Sequence, residues 1–64
     1  MSEVFNFRGI TSGVTVSNVT LDDWEAAHAY GTALRLGDWA GEHAMITNAD
    51  ESREIYTYDP PDQA

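Results

Sequence analysis

The sequence predicts an α+β domain of order ββαββ, in which a small antiparallel sheet carries one helix packed on one face. Two runs alternate apolar and polar residues at period two, an alanine-rich run follows them, and two short strand-like runs come last. Because 64 residues accommodate one domain, we assign residues 1–58 to it and residues 59–64 to a flexible, acidic, proline-containing tail.

The first two runs predict an amino-terminal hairpin. Residues 4–8 alternate two phenylalanines with polar neighbours, which is typical of a half-buried strand. Residues 14–17 alternate again, and we expect Val14 and Val16 to point inward. The segment between the runs contains two glycines and a Thr-Ser pair, so it predicts a turn.

The strongest local signal predicts a helix over residues 21–36. Thr20 can act as its N-cap, and Asp23, three residues later, can complete a capping box. Arg35 lies in the last turn, where the helix dipole favours a cation, and Gly37 is expected to follow in the left-handed conformation. The inward face of the helix is expected to consist of residues spaced three and four apart: Trp24, Ala27, Tyr30, Gly31 and Leu34.

The last two runs predict a second hairpin. Residues 42–47 have an apolar centre, residues 48–52 form a polar loop of hairpin length, and residues 53–58 are β-branched and aromatic. One helix of this length covers about three strands, so part of the sheet surface or an edge is expected to remain open.

The chain is strongly acidic, with 11 aspartates and glutamates against 3 arginines and a net charge of −8. Such a field repels phosphate backbones and anionic lipid surfaces, so we expect neither direct nucleic-acid binding nor membrane binding. The same charge keeps a small protein soluble, and it can steer the chain toward a basic protein partner.

The small size predicts association. A chain this short buries about 60% of the surface that its unfolded form exposes, which leaves little net stability. There is no cysteine, so neither a disulfide nor a thiolate metal site can compensate. A protein partner, or a second copy in a homodimer, is therefore expected. The first residues lack the basic region and apolar core of a signal peptide, which predicts a cytoplasmic protein.

One spacing has a chemical precedent. Glu25 and His28 stand three apart on the helix, as metal ligands do in di-iron bundles, and Glu42 and His43 could add ligands. Such sites draw further carboxylates from other helices, and this sequence predicts only one helix. The serines lie in turns or on polar strand faces without an elbow motif, and the glycines match no phosphate loop. We therefore expect no cofactor, no metal and no enzymatic activity.

Aromatic and acidic residues are the interface candidates. Trp39 in a turn, and Tyr56 and Tyr58 on one face of the last strand, combine an apolar ring with a polar group, as interface residues often do. Six carboxylates cluster at the helix start and in the last hairpin: Asp22, Asp23, Glu25, Asp50, Glu51 and Glu54.

These features lead to one main hypothesis and two alternatives. The main hypothesis is a non-enzymatic interaction or regulatory module, such as a short accessory chain of a virus or mobile element that binds a host factor. It would use an open sheet edge or the aromatic surface. The first alternative is a DNA-mimic inhibitor, whose carboxylates imitate phosphates in the groove of a nucleic-acid-binding protein. The second is a minor structural subunit of a larger assembly.

Overall fold

The computed structural model describes residues 2–59, which form four strands and one helix. The elements are β1 (Glu3–Gly9), β2 (Thr15–Leu21), α1 (Trp24–Leu36), β3 (Ala44–Asn48) and β4 (Glu54–Tyr56). The strands form one antiparallel sheet in the order β2-β1-β3-β4. The predicted α+β class, the ββαββ order and both hairpins are confirmed. The predicted tail, apart from Asp59, lies outside the described residues.

The core lies between the inner face of the sheet and α1. Phe7, Ile46 and Ile55 stand in one row across β1, β3 and β4, and each is at most 5% exposed. Phe5, also buried, meets the Trp24 indole edge-on with the ring centroids 5.0 Å apart. At about 25 cal/mol per Å² of buried apolar surface, these rings and branched chains supply most of the stability of so small a domain.

The predicted inward face of α1 is confirmed. Ala27 and Gly31 are buried, while Trp24, Tyr30 and Leu34 are partly buried against the core. Small residues at the centre of this face let the helix approach the sheet closely. A Cβ atom at Gly31 would stand 2.8 Å from Cγ2 of Thr57 and 3.1 Å from Cδ1 of Ile46.

The helix starts later than predicted. Thr20 and Leu21 pair with Val4 and Glu3, so sheet pairing extends β2 through both residues and Thr20 does not cap the helix. Asp23 is the N-cap instead, and its side chain accepts the Ala26 N–H at 2.8 Å. The pairing of β2 with β1, which joins five residue pairs, outweighs the local capping preference.

The end of the helix also differs from the prediction. Gly37 follows α1 and donates its N–H to Ala33 O and Leu34 O, but its φ is −111°, so it is not left-handed. The chain reverses instead at Ala40 and Gly41, where φ is 50° and 88°.

The structure places Trp39 differently from the sequence prediction, which made it an interface candidate in a turn. Its N–H donates to Leu34 O at 2.9 Å, and the tight turn brings the indole back onto the core, where Trp39 is only 8% exposed. Trp39 is therefore a core residue and not part of an exposed interface. A core with this few large side chains gains substantially by taking in an indole from a connecting turn.

A bulge sets the inner face of β2. The β1–β2 register shifts between Phe5 and Phe7, and Asn18 has a φ of 62°. Val16 and Val19, three positions apart, therefore both pack against the core. The prediction for Val16 is confirmed, whereas Val14 precedes the strand and is 40% exposed.

No helix within residues 2–59 is long and apolar enough to cross a membrane.

Candidate interaction surface

The outer face of the sheet, opposite α1, carries two rows of side chains. Strand residues alternate between faces, so the neighbours of the core residues point outward. One row runs across all four strands and the next across three. Their members follow from the pairing register: Thr15, Arg8, Met45 and Tyr56 in the first row, and Asn6, Thr47 and Glu54 in the second.

An open groove of about 420 Å³ lies on this face. We call it the outer groove. Its lining is mostly polar and comes from all four strands and the β3–β4 connection: Asn6, Phe7, Arg8, Thr15, Ser17, Asn18, Met45, Thr47, Glu51 and Glu54. The bulge in β2 shapes one wall, because the backbone N–H of Asn18 donates to Asn6 Oδ1 at 3.1 Å and fixes the Asn6 side chain there.

Thr47 forms the floor of the outer groove. It is 8% exposed, although most threonines on an uncovered sheet face are far more accessible. Within residues 2–59, no protein group forms a hydrogen bond with its hydroxyl. Within those residues the one buried side-chain nitrogen or oxygen without a partner is Arg35 Nε, so the Thr47 hydroxyl itself is open to the groove, where a ligand can reach it.

Glu54 is held in place by Tyr56. The Tyr56 hydroxyl donates to Oε2 of Glu54, and Oε1 takes no part in this bond. This hydrogen bond, reinforced by partial burial and by the carboxylate charge, raises the pKa of Tyr56 above its ordinary value of 10.0.

The two tyrosines of the last strand form the aromatic part of the surface. Tyr58 lies in the turn after β4, yet its ring stacks on that of Tyr56 with a centroid distance of 5.2 Å. It is 58% exposed, and its other neighbour is the His43 ring at 5.4 Å. The two tyrosines therefore do share a surface, as the sequence suggested.

The topology gathers carboxylates at one end of the molecule. In an antiparallel sheet, β1 starts where β2 and β3 end, so the β2–α1 junction and the β3–β4 connection meet there. The guanidinium of Arg53 lies 4.5 Å from the Trp24 ring centroid and confirms this proximity. We call this region the acidic end. It holds seven of the ten described carboxylates: Glu3, Asp22, Asp23, Glu25, Asp50, Glu51 and Glu54.

The charge is strongly segregated. With Arg53 as its one described cation, the acidic end has a formal charge of −6. The rest of residues 2–59 holds three carboxylates and two guanidinium groups, for a formal charge of −1. Nearly all of the net charge of the described chain is therefore directed to one side.

Some of the acidic residues have structural roles. Asp23 caps α1. Asp50 accepts hydrogen bonds from the hydroxyl and the backbone N–H of Ser52, which hold the pKa of Asp50 below its ordinary value. Glu42, at the opposite end, accepts three hydrogen bonds from Thr11 and Ser12 and so fixes the β1–β2 turn.

The remaining carboxylates of the acidic end are free for a partner. Glu3, Asp22, Glu25 and Glu51 are exposed, and no hydrogen bond or ion pair engages their side chains within the described chain. Glu51 has a φ of 59°, which is uncommon for a side-chain-bearing residue. Hydrogen bonds within the loop, such as its N–H to Asn48 O at 3.0 Å, hold it in this conformation.

Thr57 brings the two histidines together, a contact that sequence reasoning missed. His28 Nε2 lies 3.1 Å from Thr57 O, and His43 Nδ1 lies 2.8 Å from Thr57 Oγ1. Oγ1 also accepts the Ala44 N–H at 3.0 Å. These bonds fasten the end of β4 to α1 and β3, so Thr57 and both histidines are accounted for by structure.

The side chains whose spacing has a precedent among metal ligands do not come together in the structure. Glu25 is exposed at the acidic end, whereas His28 faces Thr57, and Glu42 is engaged by the β1–β2 turn. No group of three or more histidine, cysteine, aspartate or glutamate side chains that could hold a metal ion occurs within residues 2–59.

The outer groove was not visible in the sequence. Asn6, Arg8 and Thr47 had no distinguishing motif, because their contact depends on the β1–β3 register and not on local spacing. The signal that existed was the alternation itself, which places every second strand residue on the face opposite the phenylalanines.

Comparison with known proteins gives no relative: no family model matches this chain, and neither a curated protein nor a solved structure shows significant similarity to it.

Proposed function

We propose that this chain is a non-enzymatic interaction module that binds a basic surface of a protein partner through its acidic end. One observation carries the proposal, namely the segregation of seven carboxylates to one end of a compact sheet. Net charge alone would keep the chain soluble wherever on its surface the carboxylates lay. A field directed to one side orients an approaching basic protein and accelerates its encounter.

The local geometry supports the same assignment. Four carboxylates of the acidic end have no partner within the described chain, so binding breaks no internal contact of their side chains. The outer groove opens beside them, and its concave surface includes Glu51, which is one of the four, and Glu54. An interface needs such a combination, because exposed ion pairs contribute only about 0.2–1 kcal/mol each.

A homodimer through this surface is disfavoured. Two copies that met at their acidic ends would bring formal charges of −6 together, and that repulsion opposes association at moderate salt. The second copy expected from the small size would have to use another surface, such as the uncharged β2 edge.

The test compares two double variants that remove equal charge at different ends. Glu3→Gln with Asp22→Asn removes two negative charges from the acidic end, and Asp38→Asn with Asp59→Asn removes two from the other end. Each leaves the same net charge, so only the position differs. We expect the first pair to weaken binding to a captured basic partner about fivefold and the second pair to change it less than twofold.

Salt provides the complementary measurement. Between about 0.1 M and 1 M salt the screening length falls from about 10 Å to about 3 Å, so binding through the acidic end weakens steeply. Binding that resists salt and is lost in Tyr58→Ala would instead assign the interface to the tyrosine pair. Equal effects of the two double variants would also contradict the proposal.

Nucleic-acid mimicry is a narrower form of the same function. Four carboxylates that have no partner within residues 2–59 present an array of negative charges comparable to phosphates: Glu3, Asp22, Glu25 and Glu51. If the basic surface of the partner is its nucleic-acid groove, duplex DNA will displace the chain from the partner. A partner that binds DNA and this chain simultaneously excludes mimicry and leaves the general proposal intact.

A further inference from the structure

The outer groove contains an anionic part and continues into a second depression, which we call the apolar part. Glu51 and Glu54 line the anionic part. Beside it, an open depression of about 310 Å³ is lined by Arg8, Gly9, Ile10, Met45 and Tyr56. The two depressions share Arg8 and Met45, so they form one continuous surface. The Arg8 guanidinium lies where the two depressions meet, so a ligand that fills both is favoured when its cation lies at the Glu51 and Glu54 end and its apolar group on Met45 and Tyr56.

Thr47 indicates that this surface receives a polar chain. The residue is 8% exposed and lies beside Glu54 in the floor of the anionic part, and its hydroxyl has no hydrogen-bond partner within residues 2–59. Nearby, the Asn6 side chain uses Oδ1 for the Asn18 N–H, which leaves its amide hydrogens for another acceptor. A peptide backbone offers both the donor and the acceptor that these two groups lack.

The spacing of the two parts fits an extended peptide. Glu54 and Tyr56 stand two positions apart on β4, and Thr47 and Met45 stand two positions apart beside them on β3. Side chains on one face of a strand repeat every 6.4–6.8 Å or so, and an extended ligand repeats its own side chains at the same distance. A ligand strand therefore places a basic residue at Glu54 when an apolar residue two positions away lies at Met45 and Tyr56.

We propose that the outer groove binds an extended segment of the basic partner in which an arginine or lysine and a large apolar residue stand two positions apart. The basic side chain pairs with Oε1 of Glu54, and Glu51 adds to the anionic field. The apolar side chain lies on Met45 and the Tyr56 ring. This inference rests on the proposed function and specifies the segment of the partner that the acidic end and the outer groove recognise.

The experiment uses a capped synthetic peptide with arginine and leucine two positions apart and serine elsewhere. It is added to the isotope-labelled full chain, and backbone amide signals are followed by nuclear magnetic resonance. We expect saturable shifts at Asn6, Thr47 and Glu54, with a Kd of about 1 mM or below. Shifts confined to other parts of the chain, or none, would overturn the proposal.

Two control peptides separate register from charge. In one, citrulline replaces arginine and removes the cation at nearly constant shape. In the other, arginine and leucine stand three positions apart, so that they point to opposite sides of an extended chain. We expect each to bind at least about fivefold more weakly. Equal binding of all three peptides would contradict recognition by the two parts of the groove.

Matched variants of the chain complete the test. Glu54→Gln removes the proposed ion-pair partner, and Thr47→Val removes the hydroxyl while keeping the shape of the side chain. Each is expected to weaken the peptide about fivefold, whereas Asp38→Asn, which removes one charge away from the groove, changes binding less than twofold. Equal weakening by Glu54→Gln and Asp38→Asn would show that only net charge acts and would overturn the proposal.

Failure here is distinguishable from failure of the proposed function. The double variant Glu3→Gln with Asp22→Asn leaves every residue of the outer groove unchanged. If this double variant weakens the binding of the partner but the peptide does not bind the chain, the acidic end is the docking surface and the outer groove is not.

Discussion

At the scale of single residues, Glu54 and Tyr56 show how a pair at the surface can be held by a hydrogen bond with only partial burial. The phenol donates to the carboxylate across two positions of β4, so the carboxylate stabilises the neutral phenol. The pKa of Tyr56 is therefore raised in the folded chain. A raised pKa means that this contribution to stability is fully present below the unfolded pKa of about 10 and is lost as the pH rises through the folded value.

This pair gives a direct prediction at alkaline pH. In Glu54→Gln the carboxylate charge is absent, so the pKa of Tyr56 is expected to fall toward its ordinary value of 10.0. The ultraviolet absorbance of phenolate measures it, and Tyr56→Phe assigns the signal among the three tyrosines. Asp59→Asn serves as the control, because the Asp59 charge also raises the pKa of Tyr56 but its carboxylate accepts no hydrogen bond from the phenol. Equal shifts in both variants would show that the general field, and not the hydrogen bond, raises the pKa.

At the scale of elements, α1 shows what the sequence could and could not predict. Its inward face followed from the spacing of Trp24, Ala27 and Leu34, because a helical period is a local property. Its start was predicted three residues early. Thr20 and Leu21 belong to β2 instead, because they pair with Val4 and Glu3, which are far away in sequence. Strand pairing of this kind cannot be read from a local pattern.

The same limit explains the errors about Trp39 and the outer groove. A turn residue is usually exposed, and only the reversal at Ala40 and Gly41 turns the indole inward. The carboxylates of the acidic end were visible as two clusters in the sequence. Their union with Glu3, however, follows from the β1–β3 pairing, which no local signal specified.

The close contact between α1 and the sheet makes a prediction opposite to helix propensity. Alanine normally stabilises a helix by about 1 kcal/mol relative to glycine. In Gly31→Ala the new methyl group would meet Cγ2 of Thr57 at 2.8 Å, and Thr57 cannot move freely because His43 and Ala44 bond its hydroxyl. We expect a net loss of about 1 kcal/mol in the free energy of unfolding, measured with urea.

A double-mutant cycle identifies the cause of that loss. Thr57→Ser keeps the hydroxyl and its hydrogen bonds but removes the methyl group that the new Cβ would meet. Gly31→Ala is therefore expected to cost less in the Thr57→Ser background than alone. The contact is excluded as the reason if Gly31→Ala stabilises the chain, or if its effect is the same in both backgrounds.

At the scale of the whole molecule, three features of the chain have one common consequence. The single helix covers one face of the sheet and leaves the other open, the topology collects the carboxylates at one end, and the outer groove joins the two regions. A chain of this size has little surface to spare after its core is formed. The open face and the acidic end are therefore the surfaces through which we propose that the chain binds a partner.

The footprint of a basic partner on the isotope-labelled chain tests this account most directly. Amide signals recorded with and without the partner should change at Glu3, around residues 22–25, in the β3–β4 connection and at Asn6, Thr47 and Glu54. The signals of the carboxyl-terminal end of α1 and of residues 37–41 should stay unchanged. A footprint centred on residues 37–41, or spread evenly over the chain, would contradict binding through the acidic end.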